Sequence, residues 1–282
     1  MDRRRFILGA GAAVAAAAGA GAYARWIEPH WLQVVRRTLP IAGLPAGLCG
    51  ARLVLVSDLH VGPRVSSKYL AACLRRAADL APDILAIAGD LITYRGPDEV
   101  AELRCVLGHL PAGRLATVAI LGNHDYGFGW AMPKVADEVA RALAEAGVAV
   151  LRNEVRRVEG LSIVGLDDLW AGRFDPGRVL AEAADGPAVV LCHNPDAADR
   201  PGWGGYQGWI LAGHTHGGQC RLPFLGPPIL PVRNKRYAAG EVDLGDGRRL
   251  YVNRGLGHLL PVRFLVRPEV TVFMLTARDE GT

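Results

Sequence analysis

Side chains that can bind metal ions recur in this sequence directly after short apolar runs. Two aspartates, one asparagine and four histidines have this placement: Asp58, His60, Asp90, Asn123, His193, His214 and His216. In open α/β sheets the carboxyl ends of the strands meet at one edge, so we expect these side chains to come together there. Imidazole nitrogen with carboxylate and amide oxygen suits divalent zinc, iron or manganese. The pattern therefore predicts a metal site.

A glycine precedes three of these candidate ligands, at positions 89, 122 and 213. Because glycine has no Cβ atom, we expect it to let the chain turn sharply and point the next side chain into the site. Each feature alone is weak, since a lone histidine is more often a satisfied core or surface residue than a ligand. The ordered set carries the prediction.

The elements that must position these residues alternate between apolar runs and helical patterns. The predicted strands are 52–57, 84–88, 116–121, 148–151, 155–158, 161–166, 188–192, 209–212, 239–244, 249–253 and 270–275. Helical spacing of apolar residues predicts helices over 66–80, 99–110, 133–146 and 178–184. A D-G turn at Asp246-Gly247 joins two of the last strands. This order predicts an α/β domain of two packed sheets with helices outside.

The composition is that of a globular protein, with 282 residues of which 50% are hydrophobic and 21% charged. The net charge of +4 resides in residues 1–50, which hold six arginines and two acids, and the rest of the chain is neutral. A neutral body argues against a general nucleic-acid binder, which needs a basic face. Five cysteines without a C-x-x-C pair argue against a disulfide framework or a cysteine zinc knuckle.

The order of the motifs resembles the signature of the calcineurin-like metallophosphoesterases. The matching segments are D-x-H at 58–60, G-D at 89–90, G-N-H-D at 122–125, the single His193 and G-H-x-H at 213–216, with no ligand position missing. The resemblance implies a four-layer αββα sandwich and a metal-dependent phosphoester hydrolase. Segments 213–219, 251–257 and 261–264 resemble a bacterial subgroup with export signals or N-terminal anchors.

The resemblance also implies a role for each site residue. One ion would be held by Asp58, His60 and His216, the other by Asn123, His193 and His214, and Asp90 would bridge them. Two ions roughly 3.5–4 Å apart would share a hydroxide that attacks the phosphorus. His124 would stabilise the transition state or protonate the leaving group. Asp125 would orient His124, or would instead be a capping or turn residue.

Three further residues have two interpretations each. Arg254 is predicted either to contact a substrate phosphate, because a guanidinium can donate two hydrogen bonds to phosphate oxygens, or to be a surface arginine. Asp167 and Asp168 follow a predicted strand and resemble a subgroup feature, but a helix cap explains them as well.

The opening of the chain resembles a twin-arginine translocation signal. Arg3, Arg4 and Phe6 match that pattern, whereas Asp2 and Leu8 depart from it. The apolar run 7–24 that follows ends in A-Y-A at 22–24, which fits a signal cleavage site. A twin-arginine translocase is the partner that this signal implies.

An uncleaved membrane anchor is the alternative for the same segment. The run is long enough to span a bilayer, and Trp26 and Trp31 suit its interface. The arginines precede the run, so the N-terminus stays cytoplasmic and the body lies outside. We expect a signal or anchor over 1–24, a linker over 25–49 and the metallophosphoesterase domain over 50–282.

Three functions compete on this basis. The leading one is an exported or membrane-facing phosphodiesterase that acts on a small-molecule or lipid-linked phosphoester. The second is a pyrophosphatase of the UDP-2,3-diacylglucosamine type in lipid A synthesis, which would need its active site in the cytoplasm. The third is a catalytically inactive scaffold, although inactive members typically lose ligands or the G-N-H-D histidine, and this chain keeps both.

Overall fold

The computed structural model describes residues 3–222 and 224–278, without the side chains of Arg5 and Phe6. Residues 1 and 2 of the predicted signal, the side chain of Phe6 in its motif, and residues 279–282 of the predicted domain lie outside this description. Helices within it are α1 Arg3–Ala22, α2 Ser67–Ala78, α3 Asp98–Leu107, α4 Pro133–Glu145 and α5 Pro176–Glu182. Strands are β1 Gln33–Ile41, β2 Arg52–Val56, β3 Ile84–Ala88, β4 Ala116–Ile120, β5 Ala149–Val150, β6 Glu154–Val158, β7 Leu161–Gly165, β8 Ala188–Leu191, β9 Trp209–Ala212, β10 Gly240–Asp243, β11 Arg249–Val252 and β12 Glu269–Ala277.

The strands form two six-stranded mixed sheets. The first sheet has the order β1-β12-β2-β3-β4-β5 and the second β10-β11-β9-β8-β7-β6. In the first, β2, β3, β4 and β5 run parallel, and β12 pairs antiparallel with β2. In the second, β7, β8, β9 and β11 run parallel, and the predicted hairpin β10–β11 closes one edge. The two packed sheets flanked by helices confirm the predicted fold class.

Side-chain alternation along the strands explains the layers. In β2, Leu53 and Leu55 pack between the two sheets, whereas Val54 and Val56 pack towards the helices. Because both faces of such a central strand are buried, its sequence is apolar throughout rather than alternating. On the outside, α2 buries one stripe of small and branched residues at helical spacing: Leu70, Cys73, Leu74 and Ala77.

The sequence predicts a linker over 25–49, whereas the structure places strand β1 within that segment. The strand lies at the edge of the first sheet and pairs in parallel with β12, from Gln33 opposite Glu269 to Ile41 opposite Ala277. Its sequence contains two arginines and Pro40, which cannot donate to a ladder and is tolerated at a sheet edge. The pairing partner lies at the far end of the chain, so no local pattern indicates the strand.

Candidate metal centre

The seven candidate ligands follow the carboxyl ends of five strands, and all of them except Asn123 fall into two groups of neighbouring ligand atoms. Strands β2, β3 and β4 of the first sheet lead into 58–60, 90 and 123, and strands β8 and β9 of the second lead into 193 and 214–216. All seven residues are at most 5% exposed. The site is therefore built by both sheets and lies out of bulk water.

Asp58, His60 and His216 form the first group of candidate ligand atoms. The Nε2 atoms of His60 and His216 lie 3.0 Å apart, and Nε2 of His216 lies 3.4 Å from Oδ1 of Asp58. Two imidazole nitrogens and a carboxylate oxygen thus converge on one point. These nitrogen and oxygen donors lie close enough together to hold one divalent cation.

Asp90, His193 and His214 form the second group. Nδ1 of His193 lies 2.7 Å from the carbonyl of Ala88 and donates there, so Nε2 is the nitrogen that faces Asp90. Although burial lowers the pKa of His193, the Asp90 carboxylate raises it to about 10, so Nε2 carries a proton that a metal ion would replace. Nε2 of His214 lies 3.0 Å from the carbonyl of Pro231, which leaves its Nδ1 atom instead. Backbone carbonyls therefore fix which nitrogen of each ring is available, as they do around metal-bound histidines.

Asp90 touches both groups. Its Oδ2 atom lies 3.5 Å from Nε2 of His60 and 3.2 Å from Nε2 of His193. Its Oδ1 atom accepts a hydrogen bond of 2.9 Å from the backbone amide of His124. One oxygen is thereby oriented by the backbone while the other lies between the two clusters.

Asn123 tests whether the site fits a metal ion. Its side chain is fully buried, yet neither its amide oxygen nor its amide nitrogen has a hydrogen-bond partner within the described residues. A buried amide without partners costs several kcal/mol in an apolar environment. A cation bound to the oxygen would remove half of this deficit, and the mixed nitrogen and oxygen donors suit manganese, iron or zinc. The chain's residues fit two divalent ions.

Burial sets the charge of the site. It lowers the pKa of His60 and of His214 to about 3, so both rings are neutral, which is the form that binds a metal. Burial raises the pKa of Asp58 to about 6. At Asp90 burial acts in the same upward direction, but His193 and His124 hold the pKa of that carboxyl well below its usual range. The shared aspartate is thus the firmly ionised group.

The backbone is strained where it carries these side chains. Five of the seven candidate ligands have positive φ angles, between 49° and 72°: Asp58, His60, Asp90, His214 and His216. Residues other than glycine adopt this left-handed region at a cost, and they do so mainly at functional sites.

The preceding glycines work differently from the prediction. Gly89 has φ +84, as a sharp turn requires, but Gly122 has φ −104, which any residue adopts. Space decides the other two positions: a Cβ atom at Gly122 would collide with the Asp90 carboxylate, and one at Gly213 would lie 2.5 Å from Oδ2 of Asp58. These glycines let neighbouring strand ends approach each other.

His124 lines a cavity of about 660 Å³ beside the two groups. Its ring lies edge-on to His60, with 5.1 Å between ring centroids, and its Nδ1 atom lies 3.1 Å from the carbonyl of Thr93. That carbonyl accepts from Nδ1, so Nε2 is the ring nitrogen without this backbone contact. Arg64 and Arg95 line the same cavity.

Asp125 does not orient His124, in contrast to the first interpretation of the sequence. Its Oδ1 atom accepts from the backbone amides of Leu91 and Ile92 at 2.8 and 3.2 Å, and its Oδ2 atom accepts from Gly122 at 2.8 Å. The buried carboxylate ties the loop after β3 to the loop after β4. The capping or turn interpretation describes it, and burial, with the charge of Asp90, raises its pKa to about 8.

Arg254 is engaged within the protein. Its Nε atom donates to the Glu269 carboxylate and its NH2 group donates to Oε1 of Gln33 at 3.1 Å. The guanidinium is thus largely buried in an ion pair rather than a free surface arginine, and its contact with a substrate phosphate stays a prediction.

Asp167 and Asp168 stabilise a turn after β7. Asp167 accepts from the hydroxyl of Tyr126 at 2.5 Å and from Nε of Arg152 at 3.3 Å. Asp168 accepts from the amide of Ala171 at 2.8 Å. The predicted helix cap is therefore a turn cap, since the next helix begins only at Pro176.

Arg263 is a supporting residue whose position the sequence did not indicate. It is fully buried, and its NH2 group donates to the carbonyls of Arg254, Gly255 and Gly257 at 2.9, 3.3 and 2.6 Å. A Cβ atom at Gly255 would lie 2.6 Å from that of Asp58, so this loop presses against the first group. Arg263 and the glycines it contacts lie in segments 251–257 and 261–264, which resemble the bacterial subgroup. The sequence alone does not indicate that these two segments contact each other.

Comparison with known proteins agrees with this geometry. A family model for calcineurin-like phosphoesterases matches residues 51–218, which contain every candidate ligand. The chain is 36% identical over 299 residues to the metallophosphoesterase YkuE of Bacillus subtilis (strain 168), with 99% of each chain covered. It is 33% identical over 285 residues to the phosphodiesterase YaeI of Escherichia coli (strain K12), covering 98% of this chain and 99% of the relative.

A third relative is named for a different activity. The chain is 28% identical over 306 residues to the UDP-2,3-diacylglucosamine pyrophosphatase LpxG of Chlamydia trachomatis serovar D, covering 88% of this chain and 90% of the relative.

Proposed function

The chain belongs to the calcineurin-like phosphoesterase family and is a metal-dependent phosphoester hydrolase, and we propose that its substrates are phosphodiesters. The observation that carries the dinuclear metal site of this proposal is the position of Asp90 Oδ2, between His60 on one side and His193 on the other. One carboxylate oxygen in contact with two ligand groups is what a dinuclear site requires.

The proposed division of ligands follows the two groups. Asp58, His60 and His216 would hold one ion, His193 and His214 together with Asn123 would hold the other, and Asp90, whose Oδ2 lies near both groups, would contact both. Bound divalent ions supply a water of lowered pKa and a positive clamp for phosphoryl oxygens. Manganese is the proposed ion, with iron and zinc as alternatives that the same donors accept.

His124 is proposed to hold a proton at Nε2 for the leaving oxygen. Thr93 accepts from Nδ1 and so fixes the ring, and the ring lines the cavity next to the metal groups. A proton donor contributes most where the leaving group is poor, as an alkoxide is. This favours diesters with alkyl leaving groups. The neutral body of the chain adds little long-range attraction for polyanionic monoesters.

The direct test compares two chromogenic substrates on the manganese-loaded enzyme. We expect bis-(p-nitrophenyl) phosphate to exceed p-nitrophenyl phosphate in kcat/KM, and chelation of the metal to abolish both activities. A strong preference for the monoester would refute the diesterase proposal while leaving the metal centre intact.

A pyrophosphatase is the second candidate, and the relationship to the Chlamydia enzyme favours it. Its substrate would be a UDP-sugar with acyl chains, so the assay panel includes an acylated UDP-sugar presented in detergent. Much faster turnover of that compound would put this function first. An inactive scaffold ranks last, because the chain keeps all seven candidate ligands and His124.

The N-terminal segment is proposed to direct the protein to the cell envelope. The stretch Ile7–His30 is apolar and long enough to cross a membrane, a property that anchors and export signals share. We propose residues 1–24 as a twin-arginine signal or anchor, read by the twin-arginine translocase. Residues 25–49, which contain β1, then lead into the hydrolase domain of 50–282.

A further inference from the structure

Large apolar side chains are exposed around the point where α1 joins the domain. Seven of them come from three separate segments, and each is between 51% and 80% exposed. We call this set the apolar collar: Trp26, Ile27, Trp31, Leu225, Ile229, Leu260 and Leu265. Single exposed apolar residues are ordinary, but a contiguous group marks an interaction surface.

The three segments of the collar are joined by direct contacts. The amide of Arg263 donates to the carbonyl of Ala24 at 2.9 Å, and the amide of Leu265 donates to the buried Glu28 carboxylate at 2.9 Å. The amide of Arg221 donates to the carbonyl of Phe264 at 2.8 Å. The end of the N-terminal helical stretch is therefore fixed to the loops that carry the other collar residues.

The collar borders the metal-centre edge of the sheets. Strand β12 runs antiparallel to β2, so its first residue, Glu269, lies where β2 ends in the metal loop. Gln33, the first residue of β1, pairs with Glu269, so α1 leaves the domain at that same edge. On the other side, the Gln219 side chain, next to the turn His216–Gly218, donates to the carbonyl of Leu260 at 2.8 Å.

We propose that the apolar collar rests on a lipid surface, so that the metal centre faces the phosphate groups of membrane lipids. Continuity with the apolar stretch Ile7–His30 favours lipid over a protein partner. Tryptophans such as Trp26 and Trp31 are typical of the membrane–water interface. Arg25 and Arg221 are exposed beside the collar, and Arg267 lies 4.1 Å from the Trp31 ring, which suits anionic headgroups.

The cavity that contains His124 shares one wall with the collar. Arg64 donates to the carbonyl of Leu259, whose amide donates to Oε1 of Gln219 at 3.1 Å, and the next residue, Leu260, belongs to the collar. Arg64 and Leu259 also line the cavity that contains His124. The class of substrate that follows is a phosphodiester within a lipid headgroup. This choice of substrate rests on the proposed function, whereas the docking itself does not.

Photo-crosslinking tests the docking without any use of activity. The full chain is placed in vesicles of phosphatidylcholine and phosphatidylglycerol that contain a phospholipid with a diazirine near its headgroup, and adducts are mapped by mass spectrometry. We expect adducts at 224–229 and 259–266 as well as in α1. Adducts confined to residues before Trp31 would overturn the proposal, because the domain would then stand away from the bilayer.

A charged variant and a matched control sharpen this test. Leu225→Glu combined with Leu260→Glu should reduce adducts at both collar loops at least tenfold. Met274→Glu is the control, because Met274 is also about half exposed but pairs with Arg52 at the opposite end of β2. Equal adduct yields in the collar variant and the wild type would also contradict the proposal.

A second arm separates the substrate class from the docking. The same vesicles carry hexadecyl p-nitrophenyl phosphate, and bis-(p-nitrophenyl) phosphate is measured in parallel. The ratio of lipid-borne to soluble turnover should fall at least tenfold in the collar variant and stay constant in Met274→Glu. Collar adducts without hydrolysis of either diester would refute the proposed function alone. Hydrolysis of the soluble diester without collar adducts would refute the docking alone.

Discussion

The Oδ2 atom of Asp90 lies 3.2 Å from the Nε2 atom of His193, although the two residues follow strands of different sheets. The contact exists only because the two sheets pack with their carboxyl-end edges aligned. A change at this contact therefore acts on both ligand groups together, whereas changes at the surrounding residues should separate binding, chemistry and stability.

His124 should contribute to rate and not to metal binding, because its ring lines the cavity and its Nδ1 contacts Thr93. His124→Asn should keep the metal content of the wild type and lose on the order of 10²–10⁴ in kcat, the usual share of a positioned acid. His109→Asn, at an exposed histidine, is the control. Unchanged turnover in His124→Asn would remove this residue from the mechanism.

Asp125 should contribute mainly to stability, because its carboxylate accepts from three buried backbone amides. Asp125→Ala leaves those amides without a partner, so the free energy of unfolding should fall by about 3 kcal/mol. Denaturant unfolding of the apoprotein measures this, with the exposed Asp185→Ala as control. An unchanged unfolding midpoint would show that the carboxylate does not tie the two loops together.

Arg263 should hold the loop that presses on Asp58, through its bonds to the carbonyls of Gly255 and Gly257. Arg263→Met leaves buried carbonyls unpaired, and we expect a loss of roughly 2–4 kcal/mol in the free energy of unfolding. Arg263→Lys should be intermediate, since an ammonium lacks the planar fork. The exposed Arg156→Met should have little effect, and equal stability of all variants would contradict the role.

Export should depend on the arginine pair if the twin-arginine interpretation is right. Changing Arg3 and Arg4 to lysine leaves Arg5 as the last arginine before the apolar run, so no pair survives. Cell fractionation should then find the protein retained in the cytoplasm. Unchanged export would indicate a general secretory signal or an ordinary anchor.

The ligand positions could be predicted because they depend on a local pattern. Each follows an apolar run, and the carboxyl ends of parallel strands share an edge whatever the tertiary details. Asp90 and His193 were therefore placed at one edge from sequence, although which oxygen and which nitrogen meet depends on the packing of two sheets.

The supporting residues could not be predicted, because their partners are distant in the chain. Arg254 pairs with Gln33 in a strand that no local pattern indicates, and the backbone amide of Arg263 donates to Ala24 at the end of the N-terminal stretch. The sequence shows Asp125 beside His124, but sequence proximity does not reveal that its oxygens turn away to the loop after β3.

The central claim is that two ions share Asp90, and metal content tests it most directly. Wild-type protein reconstituted with manganese should retain about two ions per chain after removal of free metal. Asp90→Asn should retain far less than one and show no measurable turnover, because both ligand groups lose the same charged oxygen. Asp185→Asn is the matched control at an exposed site. Wild-type protein without bound metal, or Asp90→Asn with both ions retained, would contradict the account.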